Sequence, residues 1–201
     1  MEREPCLLCI PDISGFTQFM SEIDFELSSK IIPTLLNQII YSNQIQLKVS
    51  EIEGDAILFY RSGSLPSLQE LTEQCQNFHQ QFYDQMVLLQ EKYIDEGKNL
   101  DLPDILGLKI ILHFGYEIAP VQIGNRIKLL GEDVILAHRL LKNNIPFDEY
   151  ILFSEALISH YRDREINWHL NWAELMTSKT TMDHLGEVRY SYIKLHPKDS
   201  P

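Results

Sequence analysis

Two acidic residues that are far apart in the sequence could together hold a divalent cation. Asp12 follows a short apolar run, and Asp55 follows Gly54 at an acidic Glu-Gly-Asp tip between two apolar runs. Carboxylates and a backbone carbonyl, here that of Ile13, make an oxygen-only site that suits Mg²⁺ or Mn²⁺. A pair of such ions can clamp a triphosphate and activate an attacking oxygen. The alternative is that both aspartates only shape turns, in which Asp and Gly are preferred.

The elements around the two aspartates predict that their carboxylates meet. Residues 6–11 are typical of a central strand that ends at Pro11, and residues 45–50 and 56–61 are typical of a hairpin. Gly54 can take the positive φ that a tight turn often needs. Because the first strand and the hairpin can lie side by side, we expect both aspartates at the same end of one sheet.

The rest of the chain predicts an α+β fold. Amphipathic helices over residues 24–43 and 67–96 have apolar residues at intervals of three and four, and Pro33 should kink or divide the first. The further expected elements are a strand at 108–116 with 118–123 as its hairpin partner, a helix over 131–142, a strand at 150–153 and outer strands up to 195. This order predicts a ferredoxin-like βαββαβ core with extra C-terminal strands, a mostly antiparallel sheet and long helices packed on one face. We expect a single domain over residues 1–196 and a disordered tail over 197–201.

The composition narrows the range of partners. The net charge of −12 opposes broad attraction to nucleic acid or to an anionic membrane surface. No apolar run reaches the ~18 residues of a membrane span. Cys6 and Cys9 lie on a predicted strand, where residues three apart point to opposite faces, which disfavours zinc and redox chemistry. We therefore expect a cytoplasmic protein with reduced thiols and with neither a nucleic acid nor a membrane as partner.

Short motifs occur in a fixed order along the chain. Residues 12–17 read Asp-Ile-Ser-Gly-Phe-Thr, and residues 51–56 read Glu-Ile-Glu-Gly-Asp-Ala. Residues 112–115 read Leu-His-Phe-Gly, and residues 130–140 read Leu-Gly-Glu-Asp-Val-Ile-Leu-Ala-His-Arg-Leu. In this order they resemble the first and second metal motifs, a strand and the transition-state helix of the class III nucleotide cyclase catalytic domain (adenylate and guanylate cyclases). The resemblance spans about residues 6–195 and is that of a divergent, stand-alone member.

The resemblance implies a reaction, a cofactor and an assembly. In the family, a ribose 3′-hydroxyl attacks the α-phosphorus of a nucleoside triphosphate, and two divalent cations (Mg²⁺ or Mn²⁺) neutralise the phosphates as pyrophosphate leaves. The active site lies at a two-fold interface, which implies a homodimer with composite sites. By position, the resemblance assigns metal binding to Asp12, Ile13 and Asp55, substrate binding to Phe16, Thr17, Glu51, Gly54 and Lys128, and catalysis to Arg139.

Several positions depart from the family pattern. Glu51 stands where adenylate cyclases have a base-reading Lys and guanylate cyclases a Glu, and Lys128 stands where Asp, Thr or Cys is usual. This pair predicts either an altered base preference or a salt bridge that closes the pocket. Ile135 replaces the Asn that orients the ribose, and the Asp-His-Leu of residues 183–185 lacks the family's phosphate-binding Lys. Arg139 is present, although a solvated helix arginine is the alternative interpretation.

The motifs and their departures leave three functional hypotheses open. The first is a metal-dependent cyclase, weak or altered in specificity, that forms a 3′,5′-cyclic nucleotide and pyrophosphate. The second is a catalytically degenerate homologue that binds a ligand or a partner protein. The third is a βαββαβ domain in which the two aspartates only shape turns. The sequence does not predict whether the chain is an enzyme, which base it reads or which pathway it serves.

Overall fold

The computed structural model describes residues 5–97 and 100–195, and the expected tail over 197–201 lies outside them. The strands are β1 Cys6–Ser14, β2 Lys48–Glu53, β3 Ala56–Ser62, β4 Gly107–Gly115, β5 Ala119–Ile123, β6 Arg126–Leu130, β7 Tyr150–Ser154, β8 Met176–Met182 and β9 Gly186–Lys194. The helices are α1 Phe16–Glu22, α2 Phe25–Tyr41, α3 Leu68–Asp95, α4 Leu102–Ile105, α5 Glu132–Leu140, α6 Glu155–Ile158 and α7 Asp163–His169.

The larger sheet is organised around β1, and its strand order is β2-β3-β1-β4-β7-β9-β8. β1 pairs antiparallel with β3 on one side and with β4 on the other. β4 and β7 run parallel, whereas β2 with β3, β7 with β9, and β8 with β9 pair antiparallel. The predicted α+β class with a mostly antiparallel sheet is therefore confirmed.

β1 is apolar along most of its length because both of its faces are buried. Leu7, Cys9 and Ile13 belong to the core under α2 and α3, whereas Cys6 and Leu8 belong to the core under α5 on the other face. The two long helices therefore cover one face of the sheet, as predicted. The two cysteines of the Cys-x-x-Cys spacing belong to different cores, so this spacing does not assemble a thiol site.

Capping residues mark where the two long helices begin. The Asp24 side chain accepts backbone N–H bonds at the start of α2, and Ser67 with Glu70 forms a capping box on α3. α2 runs through Pro33 as one helix, so the alternative of two segments joined at Pro33 is wrong, whereas the kink stays a prediction. Buried apolar residues before and after Pro33 pack on one core, and this packing outweighs the lost hydrogen bond. Within the described part of the chain, none of the helices is both long and apolar enough to cross a membrane.

β1 also extends further than the sequence predicts. It continues past Pro11 to Ser14, and Pro11 lies opposite Ile110 of β4. Against β3, Cys9 and Asp12 are paired, whereas the two residues between them are not. Pro11, which has no N–H donor, therefore lies where the ladder between β1 and β3 is interrupted. This extension carries Asp12 into the sheet rather than into a turn.

The prediction that residues 118–123 pair with β4 is wrong. β5 pairs instead with β6 in a separate two-stranded sheet, joined by a turn at Gly124 and Asn125. The physical reason is that both edges of β4 are already occupied, by β1 and by β7. A Gly-Asn pair between short strands is itself a hairpin signal. Farther along, α7 with Trp168 precedes the two outer strands.

Candidate functional site

Asp12 and Asp55 lie together at one end of the larger sheet. Asp12 is opposite Ala56 in the β1–β3 register, so Asp55, the residue before Ala56, is its neighbour. The backbone N–H of Ile13 donates a 3.1 Å hydrogen bond to the carbonyl oxygen of Asp55. Both aspartates line one cavity of about 790 Å³. The juxtaposition on which the metal hypothesis depends is therefore present.

The same cavity brings together most of the residues that the sequence assigns to the site. Its wall includes Asp12, Ile13, Phe16, Thr17, Glu51, Asp55, Lys128 and Arg139. Gly54 lies at the adjacent turn with a φ of 63° and is not part of the wall. The cavity also contains Lys109, His138 and Lys142, which sequence reasoning missed. A signal existed for Lys109, because it interrupts the apolar run that forms β4.

Burial disfavours the ionised form of both carboxylates. Burial raises the pKa of Asp12 to about 6, and the Lys109 ammonium opposes this rise while the neighbouring Asp55 adds to it. Burial also raises the pKa of Asp55, against a backbone hydrogen bond and the charge of Lys109. Lys109 Nζ lies 3.3 Å from Asp12 Oδ1. Perturbed carboxylates in a cleft are typical of functional sites, and a further cation would relieve them.

Asp12→Asn is expected to make the metal-free protein more stable at pH 8, by roughly 2 kcal/mol. The folded-state pKa of Asp12 is raised from 3.8 to about 6, so the ionised carboxylate is disfavoured in the folded state. The wild-type protein should therefore gain stability from this group as the pH falls through 6, and the advantage of the Asn variant should vanish near pH 4. Urea denaturation of both proteins at several pH values measures this difference. An Asn variant that is less stable than wild type at pH 8 would contradict the account.

Glu51 and Lys128 form an ion pair across the cavity wall. Lys128 Nζ donates a 2.6 Å hydrogen bond to Glu51 Oε2, which ties β6 to β2. The Glu51 side chain is 17% exposed and that of Lys128 is 42% exposed, so the pair is partly open to solvent. The salt bridge is therefore formed, whereas the expected closure of the pocket stays a prediction, since both residues line the cavity. The altered base preference stays a prediction.

Arg139 is attached to the turn between β8 and β9. It lies in the last turn of α5, and its guanidinium donates a hydrogen bond to the backbone carbonyl of Asp183. Ile135 lies one turn earlier on α5, lines the cavity and is 53% exposed. The turn that lacks the expected lysine thus contacts the arginine directly. Arg139 is not merely a solvated side chain, since one N–H group of its guanidinium binds this carbonyl.

A buried histidine fixes the start of α5. His113 is fully buried and forms 2.8 Å hydrogen bonds with Asp133 Oδ1 and Ser154 Oγ. The other carboxylate oxygen of Asp133 accepts the Glu117 backbone N–H at 2.7 Å. Gly115 is required because a Cβ there would lie 2.1 Å from the Asp133 carboxylate. The Leu-His-Phe-Gly motif therefore positions α5, and through it Arg139.

The hydrogen-bond chain of Ser154, His113 and Asp133 is structural. The Ser154 hydroxyl also accepts the Leu157 backbone N–H and caps α6, and the serine is only 2% exposed. Burial raises the pKa of Asp133, but its hydrogen bonds outweigh burial and hold that pKa below its ordinary value. A nucleophile needs access to substrate, which this serine lacks.

Comparison with known proteins identifies the family. A family model described as "Protein of unknown function (DUF2652)" matches residues 32–150. The chain belongs to the DUF2652 family. An uncharacterised protein of Mycobacterium tuberculosis, Rv2561/Rv2562, is 29% identical to this DUF2652 chain over 156 residues, which are 77% of this chain and 69% of that protein.

Solved structures similar to the DUF2652 chain are class III cyclase domains. The adenylyl cyclase CyaB from P. aeruginosa matches with a TM-score of 0.62 and 16% identity, covering 98% of this chain and 96% of that one. The guanylate cyclase domain of RhGC from Catenaria anguillulae, in complex with GTP, matches with a TM-score of 0.60 and 16% identity over 98% and 99%. A rhodopsin-guanylyl cyclase core with converted specificity, in complex with ATPalphaS, matches with a TM-score of 0.65 and 14% identity over 98% of each chain. These likenesses show that the DUF2652 chain has the cyclase fold.

The donor chemistry of the DUF2652 cavity fits a magnesium-like ion held jointly with a ligand. Within residues 5–97 and 100–195, no group of three or more His, Cys, Asp or Glu side chains could hold a metal on its own. Mg²⁺ usually keeps several waters and is bound by one or two carboxylates together with substrate phosphates. Asp12 and Asp55 supply those carboxylates, and burial raises the pKa of both, which disfavours their ionised forms when no metal is bound.

Proposed function

We propose that this DUF2652 chain binds a nucleoside triphosphate together with two divalent cations, Mg²⁺ or Mn²⁺. The observation that carries the proposal is the convergence of Asp12 and Asp55 in a cavity that also contains basic side chains. In a chain of net charge −12, the basic residues of this wall are Lys109, Lys128, Arg139 and Lys142. An anionic ligand needs such local compensation, because the overall charge of the chain repels it. The cyclase fold supports the same ligand class.

Different side chains of the cavity bind different parts of the ligand. The two aspartates hold the cations, which, when bound, neutralise the phosphates and make a ribose hydroxyl a better nucleophile. Arg139 can hold phosphate oxygens through its guanidinium fork. Glu51 can accept, and Lys128 can donate, hydrogen bonds at the base edge. Ile135 cannot form the hydrogen bond that would orient the ribose, so we propose slow cyclisation to a 3′,5′-cyclic nucleotide and pyrophosphate.

We further propose that two copies of the chain form a homodimer over this cavity. Exposed apolar side chains border it, namely Ile52, Ile127, Leu130 and Ile135, each about half exposed or more. Ile52 and Ile127 adjoin the Glu51–Lys128 pair, so the apolar rim is continuous with the cavity wall. Contiguous apolar surface of this kind is typical of protein interfaces. In the dimer each site is composite.

Catalysis is tested with purified protein, Mn²⁺ and each of the four nucleoside triphosphates. We expect slow, metal-dependent release of pyrophosphate with at least one nucleotide. The matched controls are Asp55→Ala, which removes a carboxylate from the cavity, and Glu91→Gln, which removes an exposed one from α3. A wild-type rate no higher than that of Asp55→Ala with all four nucleotides would remove the catalytic claim.

A second candidate function is a degenerate cyclase homologue that binds the ligand without turning it over. Two features of the sequence favour it. Ile135 cannot orient the ribose by a hydrogen bond, and the turn Asp183-His184-Leu185 has no lysine that could bind the phosphates. The carbonyl of Asp183 also engages one N–H group of the Arg139 guanidinium. Metal-dependent binding of a non-hydrolysable triphosphate without turnover would support this function over catalysis.

A further inference from the structure

Lys109 is built into the floor of the Asp12–Asp55 site. It lies directly opposite Asp12 in the register between β1 and β4, two neighbouring strands of the larger sheet. Its ammonium is 3.3 Å from Asp12 Oδ1, and the two side chains are only 22% and 13% exposed. The strand pairing therefore sets the position of this cation.

The pair of Asp12 and Asp55 already has one positive charge beside it, the ammonium of Lys109. Asp12 and Asp55 contribute two negative charges, and Lys109 contributes one positive charge that acts on both carboxylates. A divalent ion that binds Asp12 comes close to the ammonium, and like charges in a partly buried site repel strongly. Metal and ammonium therefore compete for the same carboxylate oxygens.

A triphosphate changes this balance. Its oxygens carry several negative charges, and they can accept hydrogen bonds from an ammonium that the metal has displaced. The Lys109 side chain reaches the same cavity wall as Arg139 and Lys128, where an anionic ligand would lie. The Lys109 ammonium thus repels metal that binds alone. When metal binds together with triphosphate, the phosphate oxygens give the same ammonium a new hydrogen-bond partner.

We propose that Lys109 is an internal counter-ion of the Asp12–Asp55 pair and makes metal binding depend on triphosphate. This inference rests on the proposed function of the cavity and names the residue that regulates it. Lys109 keeps the carboxylates together when no metal is bound, weakens the binding of metal alone and strengthens the binding of metal with triphosphate. By linkage, metal and triphosphate each raise the affinity for the other.

The test measures Mn²⁺ binding to wild type, Lys109→Met and Lys109→Arg by electron paramagnetic resonance of the free ion. We expect Lys109→Met to bind Mn²⁺ alone about tenfold more tightly, since one repelling charge is removed from a partly buried site. The gain in Mn²⁺ affinity on adding a non-hydrolysable triphosphate should shrink about tenfold in the same variant. Lys109→Arg keeps the charge and should behave as wild type. Lys92→Met removes an exposed charge from α3, outside the cavity wall, and should leave the affinity for Mn²⁺ alone unchanged.

A second measurement needs no metal. With a chelator present, Lys109→Met should melt several degrees below wild type, whereas the same change in an Asp12→Asn background should have a smaller effect, because only Asp55 then remains as its partner. Lys109→Gln replaces Lys109→Met if the latter does not fold. Wild type that binds Mn²⁺ with triphosphate, together with unchanged affinities in Lys109→Met, overturns the inference and leaves the proposed function standing. Wild type that binds no triphosphate, together with tighter Mn²⁺ binding by Lys109→Met, supports only the counter-ion role of Lys109 and overturns both the dependence on triphosphate and the proposed function.

Discussion

Asp55→Asn is expected to weaken metal-dependent binding of a non-hydrolysable triphosphate about 100-fold, because one of the two carboxylates that hold the cations is lost. Asn keeps the shape of the side chain and removes only its charge. Asp55 lies outside β3 at the turn, so the change should leave the sheet intact. Isothermal titration calorimetry with Mn²⁺ and the analogue measures the loss.

The matched control for this prediction is Glu91→Gln on the exposed surface of α3, which changes the net charge of the chain by the same amount. We expect its affinity to stay within about twofold of wild type, since screened charges far from a site contribute little. Equal affinities in the Asp55 variant and wild type would mean that this carboxylate binds no cation. The plain-turn hypothesis would then be the correct one.

Gly15→Ala is expected to lower the free energy of unfolding by about 4 kcal/mol, because backbone strain and overpacking add. Gly15 has a φ of 77° at the start of α1, and a Cβ there would lie 1.9 Å from the carbonyl oxygen of Ile105. Neither backbone can move freely, because α1 begins at this point and α4 ends at Ile105. Urea denaturation followed by circular dichroism measures the loss.

Gly54→Ala is the matched control for the steric part of this effect. Gly54 has a similar φ of 63°, but among the described residues no neighbouring atom lies within 4 Å of a Cβ placed there. Its substitution should therefore cost only about 1 kcal/mol, the strain of the left-handed backbone conformation. A loss at Gly15 no larger than that at Gly54 would show that the contact with Ile105 is unimportant.

The sequence predicts the meeting of Asp12 and Asp55 because the elements that carry them are local. An apolar strand, a Glu-Gly-Asp turn and capped amphipathic helices each leave a pattern within a short stretch of chain. Once β1 and the hairpin are neighbours, the two aspartates must approach each other. The glycine of the Asp-Ile-Ser-Gly-Phe-Thr motif is different, because only the fold shows that Gly15 meets the carbonyl of Ile105.

The contacts of the basic side chains could not be predicted in the same way, because they depend on long-range register. Lys109 meets Asp12 only because β4 pairs with β1 in one particular alignment, and a shift of one residue would move Lys109 to the other face. Arg139 meets the carbonyl of Asp183 through a turn between the last two strands. The pairing of β5 with β6 was missed for a related reason, since it depends on the edges of β4 being occupied.

The raised pKa values of Asp12 and Asp55 show what holding these carboxylates together costs. Asp12 and Asp55 are held close together, partly buried and incompletely neutralised, which costs stability in the metal-free protein. Natural proteins keep such arrangements where a function needs them. Stability that rises on Asp12→Asn, together with ligand binding that falls on Asp55→Asn, would be the combined signature of a site of this kind.

Anomalous diffraction at the manganese edge, from crystals grown with Mn²⁺ and a non-hydrolysable triphosphate, tests the central claim most directly. The account predicts a manganese peak about 2–2.5 Å from carboxylate oxygens of both Asp12 and Asp55, with phosphate oxygens completing its coordination. Triphosphate density in the cavity without a manganese peak at these aspartates, or manganese bound only elsewhere, would contradict it.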